Sequence, residues 1–245
     1  MKSLIRSLTT FGLIGTTVLG SWLVQGSKLL ALPTEEILQK LRPVPVFTVA
    51  DSNGSPLIAS GENNAKVAGV FISQEDANSF VQKLKQENPD LGGKVQVVPV
   101  SLGEIFELKE ANAQKPDGIN FAYVPMREEV EGAKKILSAN DQEYKGGVPL
   151  FVAKAGEDKG YLTIKQNDTE IIPFFFEKEQ VENLIKRFKE NQPDLASSID
   201  IEVVILEVVL SNLKEGDHEM LKKIVLWPSE ESIKFLRESQ GNNSN

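Results

Sequence analysis

Apolar residues fall at Ala77, Phe80, Val81 and Leu84, the i, i+3, i+4, i+7 spacing that marks one face of a helix. Ser73 precedes the stripe as a cap, with Asp76 three residues on in capping-box position. Pro89 closes the stripe, because its ring cannot continue the hydrogen-bond ladder. The chain then turns into Val95-Gln96-Val97-Val98, a strand pattern. A second stripe, Val181, Leu184, Ile185 and Phe188, predicts a helix over residues 177–191, followed by a strand over residues 199–210. Strand signals come in pairs before each helix. Phe47-Thr48-Val49 and Leu57-Ile58-Ala59 flank Ser52-Asn53-Gly54-Ser55, whose Asn-Gly is a hairpin signal. Leu150-Phe151-Val152 and Tyr161-Leu162-Thr163-Ile164 flank residues 156–160. Third strands follow over residues 67–72 and 170–176. Strand–helix pairs close each half, 121–124 with 128–139 and 224–227 with 229–237, the last helix capped by Ser229. Hairpins mixed with helices predict an α+β fold with mixed or antiparallel sheets.

The two halves share more than a pattern. Pro89-Asp90-Leu91 recurs as Pro193-Asp194-Leu195, 104 residues on. The same offset carries Val44-Pro45-Val46-Phe47 onto Val148-Pro149-Leu150-Phe151 and Phe71 onto Phe175. It also carries each residue of the first helical stripe onto the second. Past Leu102 and Leu206 the offset shifts by one residue, and Val124-Pro125 then aligns with Trp227-Pro228. This agreement predicts an internal duplication with pseudo-twofold symmetry. Its parts are an N-terminal helix segment at 32–42, repeat units at 43–145 and 146–238, and a polar tail at 239–245 expected to be disordered.

The N-terminus departs from this plan. Lys2 and Arg6 are followed by an uncharged, largely apolar stretch to Gly26, then Lys28 and Leu29-Leu30-Ala31. This is the pattern of a cleavable secretory signal, with residues 1–31 removed after Ala31. The alternative is an uncleaved anchor, against which the Gly, Thr and Ser within the stretch argue. Cleavage would remove three cations and take the net charge from -8 to -11. An acidic chain lacks the excess of Lys and Arg that displaces counterions from a polyanion, so nucleic acid is not an expected partner. The chain has no cysteine, which excludes disulfides and thiol catalysis.

Candidate chemistry is sparse. His218, the one histidine, lies in a polar stretch between acids and reads as solvated rather than as a metal ligand. There is no Gly-x-Ser-x-Gly elbow, Walker loop or Gly-rich dinucleotide turn. Glu128-Glu129 and Glu230-Glu231 suit the first turns of helices without any acid–base role. The expectation is therefore a non-enzymatic protein with no catalytic, cofactor or metal residues. What remains is apolar: Ile171-Ile172-Pro173-Phe174-Phe175-Phe176, its counterpart Val70-Phe71-Ile72, and the run over residues 201–210. The structural reading is strands buried on both faces, which the continuous runs favour. The functional reading is a polypeptide-binding groove lined by Phe71, Phe174, Phe175 and Phe176.

Several of these stretches carry a resemblance. The chain has Pro-Val-Pro-Val-Phe-Thr-Val from Pro43, Gly-Val-Phe-Ile-Ser-Gln-Glu-Asp-Ala from Gly69, Gly-Gly-Val-Pro-Leu-Phe from Gly146 and Phe-Phe-Phe-Glu-Lys from Phe174. Together they resemble the Tic twenty-two family, the soluble component of the translocon at the inner chloroplast envelope, in its cyanobacterial branch. The resemblance implies a pseudo-symmetric protein with apolar pockets. It also implies location in the periplasm, with the thylakoid lumen as a second place. The implied role is ATP-independent chaperone and transport factor for unfolded outer-membrane precursor proteins, alongside an Omp-eighty-five type insertase. The attachment to membranes would be peripheral at most. Such a carrier would draw its energy from buried apolar area and from strand addition at sheet edges. The alternative is a scaffold or tether that binds one folded partner such as an insertase domain.

Overall fold

A computed structural model describes residues 31–155, 160–191, 199–216 and 218–242. Residues 1–30, which hold nearly all of the expected signal, and Pro193-Asp194-Leu195 lie outside them. The chain forms two compact bodies. The N-terminal body comprises Pro33–Glu131, Lys145–Val148 and the end of the chain from Pro228; the C-terminal body includes Gly132–Tyr144 and Pro149–Trp227.

In the N-terminal body, α1 (Thr34–Leu41) precedes β1 (Pro45–Asp51), β2 (Ile58–Ser60) and β3 (Lys66–Phe71). Then come α2 (Gln74–Glu87), a single turn α3 (Pro89–Gly92), β4 (Val95–Ser101), α4 (Leu102–Ala113), β5 (Ile119–Val124) and the start of α5 (Arg127–Ala139). Ser73 caps α2 through the Asp76 N–H at 3.1 Å. Pro89 stops α2 and also opens α3 at its first position, where a missing N–H costs nothing; Asn88 Oδ1 caps that turn from 3.2 Å. Asp51 organises the expected tight turn by accepting from the N–H groups of Asn53 and Ser55, and Gly54 takes a φ of 81°. The strand after that turn moves on, however: β2 pairs with β3, and only short contacts link it back to β1. The sheet is mixed, with β1 antiparallel to β3 and β4, and β3 parallel to β5.

The C-terminal body contains β6 (Pro149–Ala155), β7 (Gly160–Tyr161), β8 (Ile164–Gln166), β9 (Thr169–Phe175), α6 (Lys178–Asn191) and β10 (Asp200–Ile205). They are followed by α7 (Leu206–Glu215), α8 (Met220–Lys223) and β11 (Ile224–Trp227); α9 (Glu230–Asn242) returns to the N-terminal body. Again β6 is antiparallel to β9 and β10, and β9 is parallel to β11. Phe47 faces Phe71 in one sheet, and Phe151 faces Phe175 in the other. Both bodies are thus the expected α+β type.

Two expectations need correction. The strand over residues 199–210 ends at Ile205, and residues 206–215 are helical. The apolar run contains both periods: β-branched Val203, Val204 and Ile205 suit the sheet, while Leu206, Val209, Leu210 and Leu213 fall at helical spacing and are all buried. At the C-terminus, α9 continues through Asn242, so residues 239–242 of the tail expected to be disordered are helical; residues 243–245 lie outside the described residues.

Each body has its own core. Phe47, Val49, Phe71, Ala77, Val81 and Val95 form one, and α9 adds Phe235, whose ring meets that of Phe47 edge-on at 5.5 Å. The other gathers Phe151, Phe175, Val181, Leu184 and Phe188, with Ala133 of α5 and Trp227 of β11. A carboxylate ties α9 down as well. The two oxygens of Glu231 accept from the N–H groups of Gln74 and Glu75, at 3.2 and 2.8 Å, satisfying the free donors at the start of α2.

Candidate polypeptide-binding groove

Alternation along a strand sends Val67, Gly69 and Phe71 of β3 to one face of the sheet and Ala68 and Val70 to the other. On the first face they join Val49 of β1, Leu57 and Ala59 around β2, and Val124 of β5 as a floor. Asp76, Ser79, Phe80 and Lys83 of α2 form one wall; Pro125 and the start of α5, with Arg127, Val130 and Glu131, form the other. Between them lies a groove of about 900 Å³ within the N-terminal body. That is the size of a site for a drug-sized molecule or a few side chains of a polypeptide.

Gly69 sets the depth of the floor. A Cβ there would come within 3.2 Å of Phe71 Cε2, so any side chain would take space from the groove. The Gly69 carbonyl is held by the Thr48 hydroxyl at 3.0 Å. Phe80 supplies the open apolar wall. It is 41% exposed, where Phe71 beneath it is 7% exposed, and the two rings lie 5.5 Å apart. Charge is confined to the rim: Arg127 Nε stands 4.0 Å from Asp76 Oδ1 with its side chain almost fully in solvent. Such a pair contributes little energy and leaves the rim able to rearrange. The groove can therefore bury apolar groups of varied shape.

The four expected site residues do not share one surface. Phe71 lines the groove. Phe174, Phe175 and Phe176 are 2%, 5% and 1% exposed, so β9 is buried on both faces and these three line no open groove. Phe175 packs on Trp227, and Phe174 on Tyr161 at 5.8 Å. At the offset of 104, Pro173 stands where the first body has Gly69, and Leu184, buried, stands where it has Phe80. The place of the groove is thus filled in the C-terminal body. Sequence reasoning missed Gly69, although a glycine inside a strand is a signal for a bare patch or a close approach. Helical spacing places Phe80 in the apolar stripe but does not say how far the stripe is covered.

Around Tyr161 the C-terminal body holds a polar cluster instead. Lys154 pairs with Glu202 and lies 5.0 Å over the Tyr161 ring. Burial, then the Glu202 carboxylate, push the Tyr161 hydroxyl above the usual tyrosine range. Among the described residues no cluster of His, Cys, Asp or Glu could hold a metal ion, and no helix is long and apolar enough to cross a membrane.

The model of the Tic22-like family matches residues 3–238. The chain belongs to the Tic22-like family. It is 27% identical over 207 residues to the chloroplastic TIC 22-like protein of Arabidopsis thaliana, a match that covers 80% of this chain and 61% of that one. It is 25% identical over 184 residues to the chloroplastic TIC 22 of Pisum sativum, covering 75% and 68%. Among solved structures, Anabaena Tic22, described under protein transport, superposes with a TM-score of 0.74 at 27% identity, over 84% of this chain and 97% of that one. Tic22 from Plasmodium falciparum superposes with a TM-score of 0.68 at 23% identity, over 84% and 98%, a likeness of fold.

Proposed function

We propose that this Tic22-like protein is a transport factor for unfolded polypeptides, and that the groove under Phe80 is where it holds them. The observation that carries the reading is the groove itself, apolar on its floor and charged only at its rim. One buried aromatic or branched side chain contributes about 1.5–3 kcal/mol, so two or three client residues suffice for reversible holding without a nucleotide cycle. The description of the Anabaena relative under protein transport supports the class. The clients are unfolded outer-membrane precursors, the compartment is the periplasm or the thylakoid lumen, and the signal over residues 1–31 delivers the protein there. An Omp-eighty-five type insertase receives the client. The internal duplication and the two repeat units belong to the same proposal, supported by the paired registers Phe47 with Phe71 and Phe151 with Phe175.

The test is light scattering by an unfolded outer-membrane protein diluted from denaturant with the purified protein added. Suppression that grows with the protein's concentration is expected. Unchanged scattering at a several-fold excess would remove the chaperone reading. Crosslinking in a periplasmic extract that captured one folded partner in place of many clients would support the tether.

A further inference from the structure

The outer strand β10 differs from its counterpart β4 in one respect that side-chain burial does not show. In an antiparallel pair, residues alternate between those whose backbone groups face the neighbour and those whose groups face away. The Ala153 carbonyl accepts from the Leu162 N–H, so the Ala153 backbone faces away from β10. Its partner Ile201 therefore points its own N–H and C=O outward, and so does Val203; Ile205 points its N–H outward, while its C=O accepts the first bond of α7. The same reasoning on the other sheet starts from the Val49 carbonyl, which accepts from Leu57; it makes Val97, Pro99 and Ser101 the outward residues of β4. There the edge is closed to pairing. Pro99 has no N–H, and the Ser101 N–H is taken by Glu104 Oε2 at 2.7 Å in a capping box. At the offset of 104, β10 has Val203 for Pro99, and the third residue of α7 is Val208, 52% exposed, where the third residue of α4 is Glu104. Ile205, the residue before α7, makes no side-chain cap bond, and among the described residues no strand pairs with the outer side of β10.

We propose that the outer edge of β10 takes an extended polypeptide as an added strand, with alternating apolar and polar residues. This rests on the transport reading and names the client's chemistry. Two outward donor–acceptor sets, at Ile201 and Val203, and the further donor of Ile205 along one line fix the occupant as an extended chain. The side chains of Ile201 and Val203 lie on the face covered by the core. Beside them, a recess of about 540 Å³ is lined by Ile185, Ile199 and Ile201, with Lys186 and Lys189 along its margin. Every second side chain of an added strand falls on that face and into that recess, while the residues between remain in solvent. Period-two alternation is the pattern of strands destined for a membrane β-barrel.

The test uses the full chain and a fluorescent peptide of about ten residues alternating Leu and Thr, the length of a membrane strand. Residue-resolved amide exchange should show peptide-induced slowing at Ile201, Val203 and Ile205. Glu202 and Val204, already bonded to β6, should change little. Val203→Pro, which copies the β4 edge, should weaken binding about tenfold by removing a ladder donor. Val208→Glu, at an exposed site, should weaken it severalfold by giving the Ile205 N–H an internal acceptor. Binding that leaves the three amides unslowed, or both variants at wild-type affinity, overturns the proposal; so does no binding at all. Slowing that appears without peptide and grows with protein concentration assigns the edge to a second copy, and also overturns it. Aggregation suppression by the wild type, measured in parallel, separates the two readings: the edge can fail while suppression persists, and suppression can fail while the three amides still respond.

Discussion

Phe80→Ala isolates the groove. The residue is 41% exposed. An aromatic side chain presents about 200 Å², so about 80 Å² of Phe80 remains for a client to cover. At about 25 cal/mol per Å², covering it contributes about 2 kcal/mol to binding. Its loss should raise the dissociation constant about 30-fold. The part of Phe80 already buried against Phe71 sets a folding cost of at most about 3 kcal/mol, an upper figure because the unfolded chain also hides apolar surface. The assay is anisotropy of a labelled, unfolded outer-membrane protein titrated with each variant, with urea melts to confirm folding. Leu108→Ala is the control, since Leu108 of α4 is 47% exposed but lies outside the groove. Wild-type affinity in Phe80→Ala, or an equal loss in Leu108→Ala, would refute the assignment, because binding would then follow exposed apolar surface in general.

The remaining predictions concern the scaffold. Phe151→Ala should lower stability by about 3–5 kcal/mol in urea unfolding, since the side chain is wholly buried and its loss leaves a cavity. Glu231→Ala should cost about 1–2 kcal/mol by leaving the N–H groups of Gln74 and Glu75 without their charged acceptor, and Glu231→Gln should cost less. Tyr161 is held protonated by burial and by Glu202, so its folded pKa lies above the unfolded value of about 10. Its contribution is therefore complete below that value and is lost as pH rises through the folded pKa. Urea melts over this alkaline range should show a steeper fall for the wild type than for Tyr161→Phe; parallel curves would count against the arrangement.

Much of the fold was legible in the sequence because the signals are local. Ser73, Pro89 and the stripe at Ala77, Phe80, Val81 and Leu84 fix α2 by capping and period, whatever packs against it. Strand register was not legible: the pairings of Phe47 with Phe71 and of Phe151 with Phe175 join strands distant in the chain, and only the sheet shows them. The end of β10 was not legible, because a continuous apolar run satisfies both periods and the choice at Leu206 depends on what buries each side chain. The groove was less legible still. Phe174, Phe175 and Phe176 read as its best candidates and are core, while Gly69 and Phe80 form it. By itself the sequence determined α2, α6 and the strands that precede them, in their order, and the absence of thiol chemistry, since these follow from residue type and spacing. Only the tertiary structure decided which apolar residues stay open and which sheet edge keeps its donors. Both depend on neighbours distant in the chain, and no local pattern records how completely those neighbours cover them.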